Sequence, residues 1–591
     1  MEINSVYKNF KALSVLILIV TFFIFYFNRI SYGLPYFWNP DEIEFQNSLI
    51  SILYFVSDQF ILSYNPLFAP LINVILILNS IFINELLLNS LSLEQIKSKI
   101  YFNPELFVFY GRLASLTIST ISIFFLYLIF KKLKINFYIY FTILLTFTTS
   151  LVMFNISTIM GKNSCNLLFY LVQIYFLIKY SIKIEKFNSK SYLIFGILAA
   201  LAWGVNYWPA FISIYAVLCL HFRKYKFSKI NYLIIFSAIF IIFGPFLNLF
   251  FVNMSPFEHL AYSSEVEKIE SITLVHSFLN DVVISLKTIY FTDKNILLLI
   301  AVTPFFLLDK YTNFKKEFLI IIVLFIEPII LFGIAGTLYP QLRYFAGIIS
   351  VILILSAIVF NELHRTKFKY LIVLFFGLNF YLISDNIIKI HKSNNVLNQN
   401  HSFFNFNKNI EVNHSKILYL VDLNFQENLK QNLYYKSLFD NGLINKDERS
   451  KKFYKKIENK IQIIRNSDDI FITKKDLKEN IIYHNYTFFQ ISDLKKFFDF
   501  IKKDFDYVLI EETEPPYLSS TILQENIKSF VKNNFELNRI QYDKDKIFLR
   551  HQQSVIHYFS NNLTPYDIAE KSYVKGSEVI FGTNFGLYNL K

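Results

Sequence analysis

The sequence predicts a mainly α, polytopic membrane protein of about 11 transmembrane helices with a small extracytoplasmic C-terminal α/β domain. Three observations carry this. The 591 residues are 54% hydrophobic and 19% aromatic but only 17% charged, with a mean hydropathy of +0.39, which is more apolar than a soluble chain of this length can bury. The apolar residues gather into runs of near-spanning length separated by short basic stretches. After about residue 390 the runs stop, and Lys, Asn, Asp and Glu take over.

Apolar segments fall near residues 12–31, 112–130, 135–155, 164–180, 191–203, 206–221, 230–252, 295–308, 317–335, 344–361 and 370–385, the pair 191–203 and 206–221 being readable also as one bent unit. Placing the N-terminus, with Lys8 and Lys11, in the cytoplasm makes alternate loops basic. These carry Lys131, Lys132 and Lys134, then Lys179, Lys183, Lys186 and Lys190, then Arg223, Lys224, Lys226 and Lys229. Lys310, Lys315 and Lys316 follow, and Arg365, Lys367 and Lys369 close the series. The net charge of +13 is therefore a matter of topology, and nucleic acid is not an expected partner.

This register divides the chain into a membrane domain, 1–389, and an extracytoplasmic domain, 390–591. The first extracytoplasmic loop runs over about 32–111. Within it, 66–84 is apolar enough to span, but counting it would invert every later loop, so an interfacial or re-entrant element is expected there. In the C-terminal domain, 416–421 and 507–510 read as buried strands and 493–503 as an amphipathic helix. The runs near 535–540 and 546–550, separated by Asp543-Lys544-Asp545, suggest a hairpin.

Several functions are disfavoured. Cys165 and Cys219 both lie in apolar runs, so no disulfide framework is implied. No small-residue cleavage site follows the first apolar run, so no cleaved signal peptide is expected. There is no Gly-rich phosphate loop and no metal-spaced Cys/His set; Glu258-His259 is a lone pair in the 253–294 loop, so no cofactor is expected and a divalent metal is not indicated.

The chemistry is expected on the extracytoplasmic face. Asn39-Pro40-Asp41-Glu42-Ile43-Glu44 follows the first span, where carboxylates are costly to desolvate. On a helix opening at Pro40, the acids either stabilise the positive end of its dipole or supply a general base for an acceptor hydroxyl. Arg112 and Arg343 stand at the outer ends of two spans. Each is either an interface anchor or a phosphate clamp, since the planar guanidinium matches phosphate oxygens.

In the order Asn39-Pro40-Asp41-Glu42, Tyr64-Asn65-Pro66-Leu67, Gly111-Arg112 and Arg343-Tyr344, the chain resembles the GT-C membrane glycosyltransferases. The branch is that of the protein O-mannosyltransferases, the aminoarabinose (lipid A) transferases and related lipopolysaccharide-core sugar transferases. The resemblance covers about residues 12–385, with most of its specificity in the first 130. It implies a GT-C-like fold in a bacterial inner (plasma) membrane and an inverting transfer from a polyprenyl-phosphate sugar donor to an acceptor hydroxyl on a lipid, glycan or protein. Asp41 would be the base with Glu42 beside it, and Arg112, Arg343 and Lys162 would bind the donor phosphate. Met160-Gly161-Lys162-Asn163-Ser164 departs from the family, many of whose members have an arginine and an aspartate there. A polysaccharide polymerase or O-antigen ligase, and a lipid-linked sugar flippase or transporter, are the competing readings.

Overall fold

The computed structural model describes residues 2–31, 67–93, 95–96, 105–207, 209–248, 293–303, 346–365, 369–399, 417–420, 436–446, 451, 454–455, 458, 481–484, 493–511, 529–541, 547–549, 579–581 and 585–590. It is mainly helical. The helices are α1 (Glu2–Phe27), α2 (Phe68–Ile81, continued by a π-helical turn Phe82–Leu88), α3 (Glu105–Lys132), α4 (Phe137–Thr148), α5 (Leu151–Thr158), α6 (Asn163–Ile182) and α7 (Ser189–Trp203). They continue with α8 (Ala210–Tyr225), α9 (Ile230–Ile241, continued by a π-helical turn Ile242–Phe246), α10 (Lys294–Val302), α11 (Ala346–Leu363), α12 (Lys369–Gln399) and α13 (Leu494–Asp504).

Among the described residues, five helices are long and apolar enough to cross a membrane: 10–27, 68–88, 106–132, 163–182 and 372–391. The bent pair α4–α5 makes a sixth if it counts as one span. Leu13, Leu16, Ile17, Val20 and Ile24 on α1 and Val373, Leu374, Leu378, Tyr381 and Ile388 on α12 are exposed. Apolar faces of this size on long helices belong in lipid, and the chain is an integral membrane protein. The expectation of about eleven spans exceeds this number. Helices 189–203, 230–246 and 349–363 are apolar but short, and 15–17 residues rise only about 23–26 Å against a hydrocarbon core of about 30 Å. The expected span at 317–335 lies outside the described residues.

Tight connections fix the polarity of the bundle. With α4–α5 taken as one bent span, the turns 133–136, 159–162, 183–188 and 226–229 and the short α7–α8 connection join consecutive spans from α3 to α9, so these run alternately up and down. The turns 133–136, 183–188 and 226–229, in or beside which the lysine clusters fall, lie at one end; the opposite end, with the 159–162 turn, is called the outer end below. The α7 and α8 segments are separate helices rather than one bent unit.

Helix α2 makes its contacts at the outer end. The Phe68 amide donates to the Gly204 carbonyl at the end of α7 (2.6 Å). Asn73 Nδ2 donates to Cys165 Sγ at the start of α6 (3.6 Å). Asn84 Nδ2 donates to the Tyr110 hydroxyl near the start of α3 (2.7 Å). All three partners lie at outer helix ends, so α2 packs on them, while by length and composition 68–88 is also able to span. Gly204 permits the contact, because a Cβ there would overlap the Phe68 ring.

The span α4–α5 breaks by 57° at Thr149-Ser150. Ser150 accepts from the Met153 amide (3.0 Å), capping α5. The break is held from outside by Asp293, just before α10, whose Oδ2 accepts from the Leu151 amide (2.8 Å) and whose Oδ1 accepts from Asn386 Nδ2 of α12 (3.2 Å). Below it, Asn379 Nδ2 of α12 donates to Thr146 Oγ1 (2.7 Å) and the Tyr26 hydroxyl donates to the Thr148 carbonyl (2.9 Å). A buried carboxylate thus ties α5, α10 and α12 at one point.

The C-terminal residues form a mixed five-stranded sheet of order β2-β1-β3-β7-β4, from β1 (Ile417–Leu420), β2 (Ile481–His484), β3 (Tyr507–Glu511), β4 (Phe535–Gln541) and β7 (Phe585–Leu590). β1 pairs in parallel with β2 and β3, whereas β7 lies antiparallel between β3 and β4. Leu418, Val508 and Tyr588 of the sheet share a core with Phe497, Ile501 and Phe505, the buried stripe in and after α13. The hairpin expected between 535–540 and 546–550 does not form. β4 takes β7 as its partner with a bulge between Leu537 and Arg539, and β5 (Ile547–Leu549) pairs instead with β6 (Val579–Phe581).

Candidate functional site at the outer helix ends

Five side chains were singled out from the sequence. Asp41, Glu42 and Arg343 lie outside the described residues. Arg112 and Lys162 are both placed by the outer end of the bundle.

Arg112 sits two turns into α3 and is wholly buried, so it is not an anchor snorkelling to the surface. Its Nη1 donates to the Ile30 carbonyl just beyond α1 (2.9 Å). That bond joins the end of α1 to the start of α3, the two helices between which the acidic stretch falls in sequence. Gly111 brings in a third piece of chain. A Cβ at Gly111 would overlap Met160 Sδ and lie 2.6 Å from its Cγ, so glycine lets α3 pack on the 159–162 turn with the Met160 side chain where it is. Lys162, half-buried at the N-cap of α6, belongs to that turn. The structure therefore sets the chain at Arg112 beside the chain that carries Lys162.

A second arginine shares this corner and was missed from the sequence. Arg29 follows α1, and its guanidinium stacks on the Phe25 ring at 3.7 Å from the centroid, with Nη1 donating to the Phe25 carbonyl. Arg29 adjoins Ile30, which Arg112 holds, so two guanidinium-bearing residues serve one end of α1. The signal in the sequence was its position, an arginine directly after the first apolar run.

Glu85 was also missed. It is buried in the π-helical turn after α2 and accepts from the Tyr110 hydroxyl (2.5 Å) and from Asn89 Nδ2 (3.1 Å). Asn84 Nδ2 lies 3.3 Å from its Oε1. These donors account for the carboxylate as a latch between α2 and α3 two residues before Arg112.

Polar atoms line the helices below the corner. Ser115 and Ser119 continue the Arg112 face of α3, and on α5 Asn155 and Ser157 are buried. The two α3 hydroxyls, the Ser157 hydroxyl and both ends of the Asn155 amide have no hydrogen-bond partner among the described residues. No three His, Cys, Asp or Glu side chains gather as a metal site among the described residues.

Comparison with known proteins adds little. No family model matches the chain, and no curated protein matches it. Among solved structures, the chain is similar to the archaeal oligosaccharyltransferase AglB from Archaeoglobus fulgidus in complex with an inhibitory peptide and a dolichol-phosphate. The identity is 11% and the TM-score 0.37, over 86% of this chain and 70% of that one. A likeness this slight carries no argument.

Proposed function

We propose that the chain is an integral-membrane glycosyltransferase that moves a sugar from a polyprenyl-phosphate donor to an acceptor hydroxyl at the outer end of the bundle, with inversion. The observation that carries the reading is the corner where Arg112 holds the end of α1 and Gly111 packs on the turn bearing Lys162. A departing lipid phosphate needs fixed positive charge. In this reading Arg112, Arg343 and Lys162 supply it, and Arg29 adds a second guanidinium-bearing residue at the same helix end. Helix α11, which Arg343 precedes in sequence, has its Gly347 against Tyr170 in the outer half of α6.

Asp41 then takes the proton of the acceptor hydroxyl as its oxygen attacks the anomeric carbon, and the bond to the lipid phosphate breaks. Glu42 stands beside it in sequence. A positioned base of this kind contributes about 10²–10⁴-fold. The acceptor is a lipid, glycan or protein hydroxyl, and the site lies in a bacterial inner membrane with the C-terminal domain on the same side. The test is transfer from a polyprenyl-phosphate sugar in membranes containing the Asp41→Asn variant. Transfer should vanish while expression and membrane insertion stay intact; retained transfer removes Asp41 from the mechanism.

A further inference from the structure

We infer that the lysine-bearing end of the bundle carries a rigid docking surface for anionic phospholipid headgroups, built from the α6–α7 and α8–α9 turns. The two turns are one surface because they are bonded together. Lys224 Nζ donates to the carbonyls of Glu185 (2.8 Å) and Phe187 (2.6 Å), and the Tyr225 hydroxyl donates to Phe187 (3.1 Å). Behind them the Tyr192 hydroxyl and His221 Nδ1 share a 2.6 Å hydrogen bond, and Phe187, Tyr192, Tyr225 and Tyr232 pack ring to ring.

The surface thus fixed exposes Lys183, Lys186, Lys190, Arg223, Lys226 and Lys229, with Glu185 the single exposed acid in these two turns. Its apolar element is Phe227, 82% exposed beside Phe222, with the two rings in edge contact at 5.7 Å. Lys226 (φ 53°, ψ −120°) and Lys229 (φ 60°, ψ 34°) both adopt positive φ, a conformation unfavourable for a residue with a side chain. Strain of this kind persists where the surroundings impose it, and it clusters at sites with a task. Here it brackets Phe227 between two lysines. A bilayer surface takes such a ring at the acyl boundary and the lysines at the phosphates. The charge pattern suits a negative leaflet, and the helix ends bearing it lie at the membrane surface by the polarity of the bundle.

The experiment is binding of labelled phosphatidylglycerol and phosphatidylcholine to the purified full-length protein in detergent micelles. It compares the parent with a Lys186→Gln, Lys226→Gln, Lys229→Gln triple variant and with a control triple Lys495→Gln, Lys496→Gln, Lys503→Gln on α13. Each lysine at such a surface is worth about fivefold, so the triple variant should bind phosphatidylglycerol about 100-fold more weakly. The control should bind as the parent does, and phosphatidylcholine should be insensitive to all the changes. Equal affinity for the two lipids, or unchanged phosphatidylglycerol binding in the triple variant, overturns the inference. Displacement by an equal concentration of inorganic phosphate also overturns it, assigning the surface to the free anion.

Discussion

Replacing Asp293 by alanine tests the claim that one buried carboxylate sets the α4–α5 break. Its two oxygens accept from the Leu151 amide at 2.8 Å and from Asn386 Nδ2 at 3.2 Å, both buried. Alanine leaves both donors without an acceptor in a bundle with no bulk water. Each stranded donor costs about 1–3 kcal/mol, so the loss should be about 2–6 kcal/mol. Part of this is offset, since the variant no longer buries a carboxylate, and a net loss of about 3 kcal/mol is expected. Asp293→Asn keeps one acceptor oxygen and should lose about half as much. The assay is unfolding of the full-length protein in detergent, with Asn386→Ala as the second arm of a double-mutant cycle. Contacting partners should couple by about 1 kcal/mol or more. An Asp293→Ala variant within about 0.5 kcal/mol of the parent, or strict additivity with Asn386→Ala, would refute the reasoning.

Two other changes follow from the outer corner. Gly111→Ala forces a methyl into Met160 and should cost about 1–3 kcal/mol in the same unfolding assay, with Met160→Ala in the Gly111→Ala background restoring part of it; an unaffected single variant would show that Met160 is not seated there. Tyr110→Phe removes the 2.5 Å donor to Glu85 and should destabilise by about 1–3 kcal/mol, while Glu85→Gln should cost less because the amide oxygen still accepts; the reverse order would mean that the carboxylate charge and not the tyrosine bond holds the latch.

Much of the bundle was legible because membrane helices are specified chiefly by apolar length and by where the lysines fall between them. The segments expected near 112–130, 164–180 and 191–203 appear as 105–132, 163–182 and 189–203. The break at Thr149-Ser150 was hidden because the apolar run continues through it; its cue was the Thr148-Thr149-Ser150 cluster, which offers side-chain oxygens to cap a new helix. The carboxylate that braces the break was invisible because its partners, Leu151 and Asn386, are 142 and 93 residues away. Strand existence was readable at 417–420 and 507–511, but pairing was not. Nothing local says that β4 prefers β7, whose residues lie over 40 positions later. At the site, Arg112 was found by its place at a span's edge, whereas its bond to Ile30 is a tertiary fact. Arg29 carried the same positional signal and was passed over. Glu85 was hidden because a single acid in an apolar run has no readable partner until α2 is seen packed on α3.

The distribution of charge within the bundle bears on the competing transporter reading. A translocation path would hold ionisable groups near mid-span facing a cavity. Among the described residues, the buried charges have protein partners instead. Glu85 is held by Tyr110 and Asn89, Arg112 bonds Ile30, and Asp293 is held by Leu151 and Asn386. Lys389 pairs with Asp385 one turn earlier on α12 (2.6 Å). Two of these four, Glu85 and Arg112, gather at the outer end, where α2 packs on the helix ends. Asp293 braces the helix that leads from the bundle interior to the Met160–Lys162 turn. Among the described residues, charge is used to hold helices in place, two of the four groups doing so at the outer corner. A moving gate would instead need these same groups to exchange partners.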